Sequence, residues 1–143
     1  MPKRFLILLV ICMLQLQASA AVADVVVIVN PKSGVEKLSR DEVVNIFLGR
    51  FRQMPSGISA QPADLPPGEP DKAIFYRLLV NKDIAEINSY WARLFFSGRT
   101  PPPRQAASDE DLLKWVAATP GGIGYIERAK IDGRVRIVYE LAP

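Results

Sequence analysis

Apolar and polar positions follow one another along the chain with periods that separate strands from helices. Residues 24–30, DVVVIVN, form an apolar, β-branched run, which predicts a strand buried on both faces. GIGYIE (122–127) and RVRIVYEL (134–141) predict two more strands. The segment that joins these two contains Asp132 followed by Gly133, a pair that predicts a hairpin between them.

Apolar residues at spacings of three and four predict helices between the strands. Ser39 and Glu42 have the spacing of a capping box, so the first helix is predicted to begin at Ser39 and to end at Gly49. Asp83 is predicted to start a later helix, and Ser108 is predicted to cap the last one. Two of the predicted helices carry a stripe of residues at this spacing. In the helix after the proline-rich loop the stripe is Ala73, Ile74, Arg77 and Leu78. In the helix that Asp83 starts, the stripe is expected to face the core and consists of Ile84, Ile87, Trp91, Leu94 and Phe95.

The order of the predicted elements indicates the fold class. A strand and a helix come first, GISAQPA (57–63) supplies a short strand, and two or three helices precede the last two strands. This mixture predicts an α/β fold in which helices flank a mixed sheet. Gly121 and Gly122 are expected to adopt positive φ where the chain leaves the last helix.

The first residues have the pattern of a secretory signal peptide. Two basic residues precede an apolar run at 5–14, and small residues follow it. The run is too short for a transmembrane helix, which needs roughly 20 residues. We expect residues 1–23 to be removed by cleavage after Ala23, or alternatively after Ala20, which leaves residues 24–143 as one periplasmic domain. An uncleaved membrane anchor is the alternative.

Cysteine and histidine usage excludes whole classes of function. The single cysteine lies in the predicted signal peptide, and the chain has no histidine. The exported domain therefore has no disulfide, no zinc site of the Cys/His type and no Ser–His–Asp relay. Two of the 18 Lys and Arg residues belong to the signal peptide, so the rest nearly balance the 15 Asp and Glu residues. No run of like charge indicates nucleic-acid binding, so we expect no nucleic-acid partner. We also expect no enzyme activity and no cofactor; the alternative is an enzyme that uses acid pairs such as Glu69 and Asp71, or Asp109, Glu110 and Asp111.

Three stretches of the chain carry a family resemblance when they are taken in order. They are LSRDEVVNIFLGR (38–50), YWARLFFSGRTPPP (90–103) and VAATPGGIGYI (116–126). Together they resemble the phosphate ABC-transporter substrate-binding proteins of the type 2 periplasmic-binding-protein superfamily. The sharpest match is PGGIGY (120–125), where that family carries P-G-A-I-G-Y. The resemblance implies a single periplasmic-binding-protein-like lobe, because full-length relatives have two lobes that close on an anion.

The resemblance also implies a function and leaves an alternative open. It implies an exported solute-binding protein that recognises phosphate or a related oxyanion in an ABC uptake or sensing system. The alternative is an interaction module that keeps the fold, has lost the ligand site, and binds a membrane transporter or sensor protein.

One segment bears directly on this choice. The family reads roughly R-x-x-x-S-G-T before a ligand-binding helix, and the equivalent segment here is ADLPPGEPDKAIFYRLL (63–79), which lacks that run. Glu69 and Asp71 stand in the first turn of the predicted helix, beside Lys72. Two unit charges about 4 Å apart repel by roughly 4 kcal/mol at an effective dielectric of 20. Both acids are also explained by the helix dipole, whose amino end favours negative charge.

Five residues are candidates for contact with an oxyanion. Lys72 and Arg77 would supply charge from the helix after the proline-rich loop. Lys32, Ser33 and Gly34 follow the first strand, and carboxyl ends of strands are where open α/β sheets bind ligands. Backbone N–H groups there would form a small anion nest, and an ordinary turn is the alternative.

Four further arginines have two open interpretations, as solvated residues or as contacts with a partner. They are Arg50, Arg52, Arg99 and Arg104.

Overall fold

The computed structural model describes residues 24–98 and 100–142, which form one mixed sheet with helices on both faces. The predicted signal peptide, residues 1–23, lies outside this described part. The strands are β1 (Val25–Val29), β2 (Gln61–Asp64), β3 (Arg104–Gln105), β4 (Gly122–Glu127) and β5 (Arg136–Glu140). The helices are α1 (Arg40–Phe47), α2 (Pro70–Val80), α3 (Ile84–Phe96) and α4 (Asp109–Ala118), with short 3₁₀ helices at Pro31–Ser33 and Arg128–Lys130.

The sheet has the spatial order β3-β2-β4-β1-β5. β2 runs parallel to β3 and β4, whereas β1 runs antiparallel to both of its neighbours, β4 and β5. The predicted α/β fold with a mixed sheet is therefore confirmed. The glycine-tyrosine strand, β4, is the central strand.

The predicted hairpin between the last two strands is wrong, because β1 lies between β4 and β5. All five residues of β1 are fully buried, and a strand of this kind needs a partner on each edge. The connection from β4 to β5 passes the start of β1, where the guanidinium of Arg128 pairs with Asp24 at 2.7 Å and with Glu140 at 2.7 Å. The Asp-Gly pair still forms a turn, in which the Arg134 backbone N–H donates to the Asp132 carboxylate.

Alternate residues of β4 face different helices. The ring of Tyr125 contacts Phe47 of α1 and Phe75 of α2. The neighbouring Gly124 faces the opposite side, where an added Cβ would lie 2.9 Å from Leu112 of α4. Because successive strand residues point to opposite faces, α1 and α2 cover one side of the sheet and α4 covers the other.

Two predicted helix faces differ from the structure. α2 buries Phe75, Tyr76 and Leu79, while Ala73 and Arg77 of the predicted stripe are exposed. Both sets have helical spacing, and the buried set contains the larger aromatic rings, whose burial contributes more free energy. In α3, Ile87 and Trp91 are buried as predicted, but Phe95 is 69% exposed and Phe96 is 86% exposed.

The predicted amino-terminal caps are confirmed. Ser39 and Glu42 form both hydrogen bonds of a capping box at the start of α1. The side chains of Asp83 and Ser108 accept hydrogen bonds from the third backbone N–H of α3 and α4 respectively. The α1 C-cap is Leu48, and the predicted cap, Gly49, follows it with a φ of 74°. None of the described helices is long and apolar enough to span a bilayer.

Gly121 is required for close packing and not for positive φ, which neither Gly121 nor Gly122 adopts. A Cβ on Gly121 would overlap the backbone carbonyl oxygen of Ser59. That carbonyl belongs to the segment entering β2, and two residues further on the Gln61 backbone N–H donates to the Gly121 carbonyl at 2.9 Å. The glycine therefore sets how closely β2 approaches the start of β4.

We expect Gly121→Ala to lower the free energy of unfolding by about 1–3 kcal/mol, because the methyl group forces the backbone of 59–61 away. Urea denaturation measures this change. Gly133→Ala is the matched control, since nothing lies within 4 Å of a Cβ there, and it should change stability by less than about 0.5 kcal/mol. Equal effects of the two substitutions would contradict the close-packing role.

Candidate functional site

The candidate site is the corner at which β2 ends and α2 begins. β2 ends at Asp64, and the loop 65–69 leads to Pro70, the first residue of α2. Gly68 turns the chain with a φ of 90°, and the Glu69 backbone N–H donates to the Pro66 carbonyl at 3.2 Å. This is the segment that the family resemblance places at the ligand.

A buried carboxylate occupies the corner from inside the protein. Asp64 is 6% exposed, and its Oδ2 accepts a hydrogen bond from the Tyr76 hydroxyl at 2.7 Å. The Tyr125 hydroxyl donates to Oδ1 of the same carboxylate and accepts from the Leu65 backbone N–H at 3.2 Å. The Lys72 ammonium lies 3.5 Å from Oδ2. The negative charge of Asp64 is thus balanced by one cation and two hydroxyl donors of the same chain.

Aromatic rings exclude water from this network. The Phe75 ring stacks on Tyr125 with centroids 3.8 Å apart, and Phe47 packs edge-on to Phe75 at 4.9 Å. Burial, followed by the charge of Asp64, raises the pKa of both Tyr76 and Tyr125 well above the ordinary tyrosine value. Both hydroxyls therefore stay protonated and act as donors to Asp64.

More carboxylates stand at the helix starts around the corner. Partial burial raises the pKa of Asp71 in the first turn of α2, and the charge of Glu127 raises it further. Lys130 lies between these acids, paired with Asp109 of α4 and 3.9 Å from Glu127. The amino ends of α2 and α4, which favour an anion, thus already carry acidic side chains of this chain.

The structure separates the five predicted ligand residues. Lys72 is buried beside Asp64, whereas Arg77 is exposed in the last turn of α2. Lys32, Ser33 and Gly34 follow β1, and β1 is antiparallel to β4. The loop 30–34 therefore lies beside the amino ends of β2 and β4, at the end of the sheet opposite the corner.

The polar groups of that loop already have local partners. The Ser33 hydroxyl accepts from the Val35 N–H at 3.1 Å, and the Ser33 carbonyl accepts from the Ser56 hydroxyl at 2.7 Å. The Asn30 side chain accepts from the Lys32 N–H and donates to the carbonyls of Val116 and Ala117. These bonds hold the loop against the end of α4.

Sequence reasoning missed Asp64 as the centre of the site. Its position at the end of a short strand was the only signal, because Tyr76 and Tyr125 lie 12 and 61 residues away along the chain. Among residues 24–98 and 100–142, no group of three or more acidic side chains has an arrangement that could hold a metal ion.

Comparison with known proteins identifies the fold. No family model and no curated protein matches the sequence. Among solved structures, an ABC-type phosphate transport receptor from Vibrio cholerae is similar, with a TM-score of 0.65 at 13% identity over 81% of this chain and 45% of that one. A putative phosphate ABC transporter substrate-binding protein with bound phosphate from Clostridium perfringens gives a TM-score of 0.64 at 15% identity, over 81% of this chain and 44% of that one.

A third similar structure is PstS from Borrelia burgdorferi, with a TM-score of 0.62 at 14% identity over 82% of this chain and 47% of that one. The chain therefore spans less than half the length of each of these structures. The resemblance carried by three sequence stretches is confirmed at the level of fold: over 81–82% of the chain, the described residues share the fold of part of each of these structures.

The raised pKa values of the two tyrosines predict that stability falls at high pH. Below about pH 10 both states keep these protons, whereas above it the unfolded tyrosines ionise and the folded ones do not. Each tyrosine then lowers the free energy of unfolding by about 1.4 kcal/mol per pH unit. Tyr76→Phe should remove one such contribution, as measured by urea denaturation from about pH 8 to about pH 11. An identical pH slope in the wild type and the variant would contradict the assignment.

Proposed function

We propose that this chain is an exported, non-enzymatic recognition module. Its β2–α2 corner does not bind phosphate, and its ligand is a protein partner in an uptake or sensing system. The observation that carries this proposal is the buried Asp64 carboxylate, held by Tyr76, Tyr125 and Lys72 at the β2–α2 corner. An internal carboxylate at this corner takes the donors that an external anion would need.

The charges around the corner support the proposal. The Lys72 ammonium is 3.5 Å from Asp64, and both side chains are about nine-tenths buried, so this cation is already paired. A dianion there would meet Asp64, and Asp71 at the start of α2. At a separation of about 4 Å, each additional pair of like unit charges costs roughly 4 kcal/mol at an effective dielectric of 20.

The similar structures support the part of the proposal that places this chain in an uptake or sensing system. They are described as a phosphate transport receptor and as a substrate-binding protein of an ABC transporter, which are binding proteins and not enzymes. We infer that this chain works in the same kind of system, with a membrane transporter or a sensor protein as its partner. The amino-terminal pattern, a basic start followed by an apolar run and small residues, supports export to the periplasm.

A second candidate function is the binding of phosphate or a related oxyanion. The observation that favours it is the fold likeness to a structure that contains bound phosphate. Lys32 and Arg77 are the candidate ligands with exposed side chains, and neither forms an ion pair within the described part of the chain. Binding through them would place the anion outside the corner.

Calorimetric titration of the purified protein with phosphate, and with sulfate as a control, distinguishes these two functions. We expect no phosphate-specific heat and no phosphate-specific increase in thermal stability. If the protein binds phosphate, a free phosphate concentration of 100 times the Kd would add about 2.7 kcal/mol to the free energy of unfolding. That result would support the second candidate. Lys32→Met and Arg77→Met would then show which residue binds the anion, because each should weaken binding only if its charge contacts the ligand.

Fractionation of cells that make the full chain tests export and partnership together. We expect the protein in the periplasmic fraction with Asp24 as its first residue, because cleavage after Ala23 removes the signal peptide. Amino-terminal sequencing measures this, and cross-linking in intact cells should yield a discrete adduct with a membrane protein. Recovery of a chain that still begins at Met1 and sediments with membranes would contradict the proposal.

A further inference from the structure

A second recess lies away from the corner, beside the amino end of β2. It is a cavity of about 530 Å³ between the end of α1, helix α3, the segment 100–104 and helix α4. Its volume is within the range of about 300–1,000 Å³ that is usual for small-molecule sites. Neither Asp64 nor any of its partners lines this cavity, so an inference about it does not depend on whether the corner binds phosphate.

Flat, rigid, apolar groups form much of the cavity wall. Trp91 and Trp115, the only two tryptophans of the chain, both line it. The consecutive prolines 101–103 form another side, and Phe51 stands at the cavity with 48% of its surface exposed. Indole and proline rings lose little conformational entropy when a ligand packs on them, so they favour a ligand with a flat apolar body.

The charge of the cavity has one sign. Among its described lining residues, the charged side chains are Arg52 and Arg104, and no carboxylate lines it. The groove between α1 and α3 differs, because there Arg50 and Arg93 are accompanied by the acids Asp83 and Glu86. A cavity with cationic residues alone favours an anionic ligand.

Two residues that line the cavity carry polar groups with unused hydrogen-bonding capacity. The Arg104 guanidinium lies 5.5 Å from the centroid of the Trp115 ring, and its N–H groups have no hydrogen bond or ion pair with the described residues. The indole Nε1 of Trp91 is buried without an acceptor among those residues. Stacking on Trp115 orients the guanidinium, whose fork of donors matches a carboxylate.

We propose that this cavity binds a small aromatic carboxylate. The aromatic body of the ligand packs against the indoles and the prolines 101–103, and its carboxylate accepts hydrogen bonds from Arg104. Arg52, which also lines the cavity, adds a second positive charge. Inorganic phosphate has no apolar surface to place against these walls, so the cavity selects for an organic anion.

Nuclear magnetic resonance tests this site directly, because the two indole N–H signals of the chain both come from its walls. The full-length mature protein, labelled with ¹⁵N, is titrated with biphenyl-4-carboxylate and, separately, with the neutral biphenyl-4-methanol. We expect saturable shifts of the indole signals with the carboxylate, and binding about tenfold weaker or more for the alcohol, since a charge-assisted hydrogen bond is lost.

Arginine variants decide whether Arg104 recognises the anion. Arg104→Ala should weaken carboxylate binding about tenfold or more while the rest of the spectrum keeps its dispersion. Arg93→Ala is the matched control, because Arg93 is exposed and lines the other groove, and it should leave binding unchanged. Any one of four results would overturn the proposal. They are equal binding of the alcohol and the carboxylate, indole shifts with inorganic phosphate alone, no binding of either probe, and unchanged carboxylate binding in Arg104→Ala.

Discussion

The β2–α2 corner depends on the contacts of one buried carboxylate, that of Asp64. Its two oxygens join β2 to Tyr125 of the central strand and to Tyr76 and Lys72 of α2, so one side chain connects three elements. Breaking such a buried pair by removing one partner typically costs 3–5 kcal/mol, because the remaining charge has no water around it. The aromatic rings around the network make every bond within it stronger and every missing bond more costly.

The network also shows how acidic groups of the protein itself supply negative charge at this corner. Helix amino ends favour negative charge, whether it comes from a solute or from the protein. Here Asp71 and Asp109 supply that charge at the two helix starts, and Asp64 supplies it inside. The positive ends of these two helices are thus complemented by side chains of the protein itself. The cavity with Arg104 and the two tryptophans has the opposite character, since the charged side chains among its described lining residues are cationic.

Local features of this protein could be predicted from sequence, and non-local ones could not. Capping by Ser39, Asp83 and Ser108 depends on neighbours within a few residues, so spacing alone predicts it. The insertion of β1 between β4 and β5 depends on which distant strand covers an apolar edge, and a local Asp-Gly signal predicted a hairpin instead. The role of Asp64 was hidden for the same reason, because its partners meet it only after the sheet has formed. The exposure of Phe95 is likewise non-local, because Ile87 and Trp91 of the same helix are buried by the rest of the fold and Phe95 is not.

The central place of β1 has a consequence for how the molecule assembles. Val26 pairs with Ile126 on one side and with Glu140 on the other, so β1 cannot complete its pairing until β4 and β5 have been synthesised. Such high contact order slows closure of the sheet, and an amino-terminal portion emerging alone has no way to complete it. The five-stranded sheet of a nascent chain with this topology therefore cannot close until β4 and β5 have both been made.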